Sequence, residues 1–279
     1  MGGPPGGGLA RARRRTYGLA MHVTGISRRV LVALIVAGAA VLVFGTTMAA
    51  GMLTRHTITH TQVLAAAPTI MVDAGIGDVD MVATGRTDVR LTTRERRSVW
   101  GGGHVKVRGD AARLDLRDGC DGLPTSVPLV YERCVVRYRL EVPRGSDVRV
   151  STATGDIRAK NLQGSADLGS STGDVHVNGA SGPLRLHTAA GEVRVHAPAR
   201  DMVAQTLAGD IELVASHPRA LRAESAAGDV TLVVPKQQTY AVDAQGEGGN
   251  QQILVPLDDA SPRTLRAHSE GGHVTVVPG

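Results

Sequence analysis

Apolar and polar residues alternate on both sides of a recurring Gly-acid pair in the second half of this chain. Positions seven and five residues before each glycine, and two and four residues after it, are aliphatic or Met in six copies. The glycines of these copies are Gly155, Gly173, Gly191, Gly209, Gly228 and, less regularly spaced, Gly272. Such alternation on both sides of a glycine predicts two short β-strands that are joined by a tight turn and each bury one face.

A unit of about 18 residues cannot bury its apolar face alone, whereas stacked copies close a continuous core. The predicted fold is therefore all-β: a β-solenoid, or β-helix-like stack, of two-strand rungs of about 18 residues, preceded by one transmembrane helix. The rungs pair in parallel, roughly 4.8 Å apart. Between residues 85 and 143 the pattern blurs, and longer, hairpin-like rungs are expected there.

The corner of each rung carries the repeated residue types. Glycine supplies the backbone freedom that a turn needs, and the acid after it can accept hydrogen bonds from turn amides. Three positions before each glycine lies a Ser or Thr, whose hydroxyl groups are expected to bond one another along the stack. The predicted repeat-turn residues are Gly77, Asp78, Gly155, Asp156, Gly173, Asp174, Gly191, Glu192, Gly209, Asp210, Gly228 and Asp229.

The segment "LEVPRGSDVRVSTATGDIRAKNLQGSADLGSSTGDVHVNGASGPLRLHTAAGEV" at 140–193 resembles the putative adhesin family of bacterial envelope proteins, a domain of unknown function with Gly-Asp β-strand repeats. The resemblance covers about residues 68–279. It implies a surface β-helix-like domain that is often carried behind one membrane helix. It supplies no ligand and no catalytic residues.

The N-terminal region contains 25 uncharged residues between Arg29 and Arg55, enough to cross a bilayer. An Arg cluster precedes them, so the positive-inside rule places the N-terminus in the cytoplasm. The predicted organisation is a cytoplasmic tail (1–29), a transmembrane signal-anchor helix (30–54), a juxtamembrane stalk (55–67) and an extracytoplasmic repeat domain (68–279). The expected location is the cell membrane, and a cleaved signal peptide is the alternative.

Charge and cysteine content bear on three possibilities: nucleic-acid binding, a disulfide and metal binding. The net charge of +5 comes from the Arg-rich N-terminal region, so no nucleic acid is expected to bind the repeat domain. Cys120 and Cys134 are expected to form a disulfide in an oxidising compartment; two reduced thiols are the alternative. Metal binding by these cysteines is less favoured because no CxxC motif accompanies them.

Motifs with catalytic associations are explained by the repeat. The "GSSTG" at 169–173 is one copy of the corner rather than a nucleophile elbow, and the "RGD" at 108–110 is expected to be a turn. The row of corner acids predicts turn capping, with calcium binding as the alternative. No cofactor, no metal site and no enzyme activity are expected.

The favoured function is a non-catalytic binding, adhesion or scaffolding module of the cell envelope. An envelope sensor that signals through the basic tail and a glycan-active β-helix enzyme are the alternatives. Expected partners are a cell-wall glycan, an envelope protein or a second copy. Self-association is placed at the C-terminal rung, with a docking edge at Val274, Thr275 and Val276, because the last strand of a stack leaves backbone groups unpaired.

Overall fold

A computed structural model of the chain describes residues 28–53, 56–98, 101–122, 135–247 and 250–279. The chain divides into two units at Ala50. Helix α1 (Arg28–Leu53) covers the predicted span at 30–54 apart from its last residue, and most of its described side chains are exposed. Among the described residues, no helix combines the length and the hydropathy that a membrane span requires.

The second unit is built from strands. Within the described residues they are β1 (His56–Ala65), β2 (Thr69–Ile76), β3 (Val79–Thr84), β4 (Asp88–Ser98), β5 (Gly101–Gly109), β6 (Arg113–Gly122), β7 (Val136–Pro143), β8 (Asp147–Thr154), β9 (Ile157–Lys160), β10 (Ala166–Thr172), β11 (Val175–Asn178), β12 (Leu184–Ala190), β13 (Val193–Ala197), β14 (Asp201–Ala208), β15 (Ile211–Ala215), β16 (Ala220–Ala227), β17 (Val230–Val234), β18 (Ala241–Gln245), β19 (Gln251–Ile253), β20 (Thr264–Ser269) and β21 (Val274–Pro278).

Each rung contributes one strand to each of two rows. The first row runs β5, β6, β2, β8, β10, β12, β14, β16, β20, β18, and the second runs β1, β4, β7, β3, β9, β11, β13, β15, β17, β21, β19. Successive rungs pair in parallel and in register, so that Leu168 lies beside Leu186 and Val175 beside Val193. These side chains are buried in one continuous aliphatic core. The predicted all-β stack of two-strand rungs is confirmed.

The order of the rungs differs from their order along the chain at both ends of the stack. The β2–β3 rung lies between β6–β7 and β8–β9, and the β20–β21 rung lies between β16–β17 and β18–β19. Strand β21 is therefore paired on both sides, and the prediction of an open edge at Val274, Thr275 and Val276 is wrong in its premise. The terminal rung is β18–β19, because the chain leaves the position after β16–β17 open, forms the last rung, and then returns to fill the open position with β20–β21.

The predicted stalk at 55–67 is a strand for most of its length. All ten residues of β1 pair antiparallel with β4, which in turn pairs antiparallel with β7. Strands β5 and β6 form the expected hairpin in the blurred region. The β unit thus begins by His56 rather than at residue 68. Cys120 lies on β6, but its predicted disulfide partner Cys134 lies outside the described residues.

Candidate binding groove and the corner ladder

The corner glycines are required by backbone geometry and by stacking. Six of them have φ angles between +141° and +150°, a region that only glycine adopts readily: Gly77, Gly155, Gly173, Gly191, Gly209 and Gly228. A Cβ on Gly209 would lie 2.0 Å from the carbonyl oxygen of Gly191 in the preceding rung, and the other stacked corners are equally close. Each corner therefore leaves no room for a side chain.

The aspartate after most corner glycines accepts a hydrogen bond from a backbone amide of the next rung. The Glu192 N–H donates to Asp174 Oδ1 at 2.8 Å, and the Asp174 N–H donates to Asp156 Oδ1 at 3.1 Å. This amide takes no part in the strand ladder, so the carboxylate supplies its only acceptor among the described residues. Arg158 pairs with the second oxygen of Asp156 at 2.7 Å and offsets part of the charge repulsion along the row.

The buried hydroxyl three positions before each glycine has a different partner from the one predicted. Thr188 Oγ1 donates to the Gly173 carbonyl of the preceding rung at 3.1 Å, and Ser269 Oγ donates to the Gly228 carbonyl at 2.7 Å. The expected bonds between hydroxyl groups were therefore wrong. Together with the aspartates, these hydroxyls satisfy most of the backbone groups that the corners leave out of the ladder. The predicted repeat-turn residues are thus occupied in holding the stack together.

A groove of about 700 Å³ runs across the outer face of the first row of strands. Two rows of side chains, four and two positions before each corner glycine, form it. Long side chains form what we call the wall row: His187, Gln205, Glu224 and His268. Three short side chains and the larger Leu207 form what we call the floor row: Ser171, Ala189, Leu207 and Ala226. Both rows point outward, because the buried hydroxyl lies between them on each strand.

The wall row is ordered by contacts between neighbouring strands. Gln205 Nε2 donates to Glu224 Oε2 at 2.8 Å, and Arg222 Nε donates to Glu224 Oε1 at 2.7 Å. The Gln205 hydrogen bond, assisted by Arg222, holds the pKa of Glu224 below its usual range despite partial burial. The His187 imidazole lies against Gly169 on the adjacent strand, where a Cβ would come within 2.0 Å of Nε2. The wall is therefore preorganised rather than freely mobile.

The floor row is mainly apolar at its centre. Leu207 is 65% exposed although it is a large hydrophobic residue. Ala189 and Ala226 occupy the same position on the strands to either side, so a short apolar strip faces solvent beside a polar row. An exposed apolar strip with polar groups along one side is typical of a ligand-binding surface.

The groove crosses six strands, from Ser151 on β8 to Glu270 beyond β20. At roughly 4.8 Å per strand its length is about 24 Å. Among the described residues that line it there is no Lys or Arg, whereas Glu224 and Glu270 are both acidic. Sequence reasoning missed this groove. The sequence does contain the pattern: the outward side chain four residues before most corner glycines is long and polar, and the one two residues before them is mostly short.

Other motifs have structural roles. Asp110 of the "RGD" accepts hydrogen bonds from the Ala112 and Arg113 amides, both at 2.8 Å, and so caps the β5–β6 turn. In "GSSTG", Ser170 is buried and donates to the Gly155 carbonyl, while Ser171 lines the groove. The described residues contain no cluster of three or more side chains that could hold a metal ion.

Comparison with known proteins supports the resemblance predicted from the sequence. Residues 144–273 match the family model described as Toastrack DUF4097, which confirms the likeness to the adhesin-like domain of unknown function. No curated protein matches the chain significantly.

Several solved structures match the chain at low identity. A putative adhesin from Bacteroides fragilis has 13% identity, with 80% of this chain and 97% of that chain covered and a TM-score of 0.41. A putative lipid binding protein from Parabacteroides distasonis has 8% identity, 79% and 96% coverage and a TM-score of 0.47. A putative cell adhesion protein from Clostridium sporogenes has 12% identity, 80% and 100% coverage and a TM-score of 0.37. Likeness at this level establishes nothing about what this chain binds.

Proposed function

We propose that this protein is a non-catalytic binding module of the cell envelope, and that its groove holds an extended partner. The observation that carries the proposal is the groove itself: an open, preorganised surface about 24 Å long, in which a polar wall lies beside an apolar floor. An open trough along a rigid stack suits a chain-like partner better than a compact metabolite, which binds in a concave pocket that buries most of its surface.

The chemistry of the groove supports binding rather than turnover. A general acid needs a raised pKa, whereas hydrogen bonds lower the pKa of Glu224 and keep this carboxyl ionised. The same side chain is held by both Gln205 and Arg222. These contacts suit a fixed recognition surface.

Membrane anchoring through residues 30–54 is part of the proposal and rests on the sequence. This segment is uncharged over 25 residues, and the Arg cluster before it favours an orientation with the β unit outside the cytoplasm. If so, the full chain stays with the membrane pellet after alkaline carbonate washing, and protease added to intact cells degrades the β unit. Release by carbonate, or protection from protease until the cells are lysed, would contradict the anchored topology.

The binding proposal is tested by capture from envelope material. The full-length chain, purified in detergent with an affinity tag, is incubated with cell-wall and envelope fractions. Ala189→Arg places a long side chain in the floor row and is expected to reduce capture at least tenfold, a loss of about 1.4 kcal/mol or more. Ala112→Arg, in the exposed β5–β6 turn, is the matched control and is expected to capture normally.

The two variants must first show the same circular dichroism and thermal unfolding as the wild type. If Ala189→Arg then captures as much material as Ala112→Arg, the groove is not the binding site and the proposed function of this surface is wrong.

A further inference from the structure

We infer that the groove recognises a linear, β-linked glycan without anionic groups, aligned along the stack with about one sugar per rung. This inference rests on the proposed binding function and names the chemical class of the partner. Three properties of the groove lead to it: its spacing, its cross-section and its charge.

The spacing of the binding groups matches a sugar chain. Neighbouring side chains of the wall row lie on adjacent strands, and so repeat at roughly 4.8 Å. One pyranose ring of an extended β-linked chain advances by a similar distance. An extended polypeptide advances about 3.3 Å per residue, with side chains on one face every second residue, and so falls out of step within a few rungs.

The cross-section of the groove matches the two surfaces of a sugar ring. Ala189, Leu207 and Ala226 present an apolar floor on which the C–H face of a ring can lie. His187, Gln205 and His268 line one side of the groove and offer imidazole nitrogens and an amide to the hydroxyl groups of a sugar. The Gln205 amide nitrogen donates to Glu224, so its carbonyl oxygen remains as an acceptor for a hydroxyl group. A flat apolar ligand would leave the wall row without partners, and binding would lose the hydrogen bonds that this row offers.

The charged residues that line the groove disfavour anionic polymers. Glu224 and Glu270 both face it, and no Lys or Arg is among its described lining residues. Arg222, which lies outward beside the wall row, is committed to Glu224. Arg185 and Arg266 occupy the same outward position on β12 and β20, outside the groove lining. Inside the groove, a phosphodiester or a uronic acid chain would therefore meet the like charge of Glu224 and Glu270, whereas a neutral sugar meets none.

The experiment measures the affinity of the full-length chain for oligosaccharide series by titration calorimetry. The probes are β-1,4-linked N-acetylglucosamine and β-1,4-linked glucose, from the single sugar to the heptamer, and galacturonate oligomers of the same lengths. Affinity for at least one neutral series is expected to rise roughly tenfold from trimer to pentamer and then to level off, because the groove spans six strands. The galacturonate series is expected to bind at least tenfold more weakly.

Two variants separate the groove from other surfaces. Ala189→Arg is expected to abolish the dependence on length, and Ala112→Arg is expected to keep it. Glu270→Gln is expected to narrow the gap between the neutral and galacturonate series, because it removes one negative charge from the groove.

The possible failures are distinguishable. If neither neutral series shows the length dependence, or if galacturonate oligomers bind best, the glycan inference is wrong. When Ala189→Arg still prevents capture from envelope material in that case, the groove binds a different polymer and the proposed function stands. If Ala189→Arg affects neither capture nor oligosaccharide binding, both proposals are wrong.

Discussion

Two fully buried tyrosines differ in what their hydroxyl groups contact. Tyr240 is 0% exposed, and its hydroxyl donates to the Pro235 carbonyl at 2.8 Å. Tyr138 is 1% exposed, and its hydroxyl finds no hydrogen-bond partner in the part of the chain that the structure describes. Burial raises the pKa of Tyr138, and the nearby charges of Asp118, Asp73 and Glu95 raise it further. One hydroxyl is therefore satisfied and the other is not.

This difference predicts opposite effects of the same substitution. Tyr138→Phe is expected to raise the free energy of unfolding by about 1 kcal/mol, because it removes a buried polar group that forms no bond. Tyr240→Phe, the matched control, is expected to lower it by about 1 kcal/mol. Urea denaturation of both variants measures the difference. Equal destabilisation by the two substitutions would mean that the Tyr138 hydroxyl is bonded in solution.

Asp118 predicts an unusual dependence of stability on pH. Burial raises its pKa, although the Gly75 and Ile76 amides oppose the shift by donating to the carboxylate. A carboxyl whose pKa is higher in the folded than in the unfolded state binds more protons when folded. Its contribution therefore favours folding at low pH and is lost as the pH rises from about 4 through the raised value.

Asp118→Asn is expected to flatten this part of the curve of unfolding free energy against pH. Glu224→Gln provides the opposite control, since the lowered pKa of Glu224 contributes stability that is lost as the pH falls below about 4. Denaturant titrations between pH 3 and pH 8 compare the curves. A slope that Asp118→Asn leaves unchanged would contradict the account of this carboxyl.

At the scale of the rung, the corner glycine is the residue least open to change. Gly209→Ala is expected to lower the free energy of unfolding by about 3 kcal/mol or more, since Cβ meets both an unfavourable φ and the carbonyl of the previous rung. Gly145→Ala, in the turn before β8, places Cβ in open space and is expected to change stability by less than about 0.5 kcal/mol. Thermal unfolding of the pair tests this; similar stabilities would show that the stack can open at the corner.

The rung was largely predictable because its causes are local. Alternation identified the buried residues, and the Gly-acid pair identified the corner. The partner of each buried hydroxyl was not predictable, since a Ser or Thr at this position can reach either a neighbouring hydroxyl or the glycine carbonyl. Only the backbone at φ near +145° turns the carbonyl toward it. The groove was likewise hidden, because a trough depends on which outward side chains become neighbours across strands.

For the whole β unit, the period of the sequence does not determine the order of the rungs. Strands β20 and β21 continue the repeat in the chain but lie inside β18 and β19. The 18-residue spacing does not indicate that one rung lies between two others out of chain order, since every rung offers the same backbone pairing surface. The half-buried Asp118 and the buried Tyr138 lie near each other for the same reason: β6 and β7 flank the β2–β3 rung from outside.

The placement of β1 predicts where the β unit can be shortened. A chain comprising residues 56–279 is expected to unfold at the same temperature as the β unit of the full protein. Residues 68–279 lack β1, which uncovers the edge of β4 and removes Leu64 from its contact with the core. This shorter chain is expected to unfold at a lower temperature and to aggregate. Equal melting temperatures and a monodisperse elution profile for both chains would show that β1 is dispensable, as a stalk would be.

The most direct test of the central claim is hydrogen–deuterium exchange of the full-length chain with and without saturating envelope fraction. A partner in the groove is expected to slow exchange in β10, β12, β14 and β16, around the wall and floor rows. The terminal strands β18 and β19 and the second row of strands are expected to exchange as before. Slower exchange confined to β18–β19 or to the second row, with none along the groove, would contradict the account.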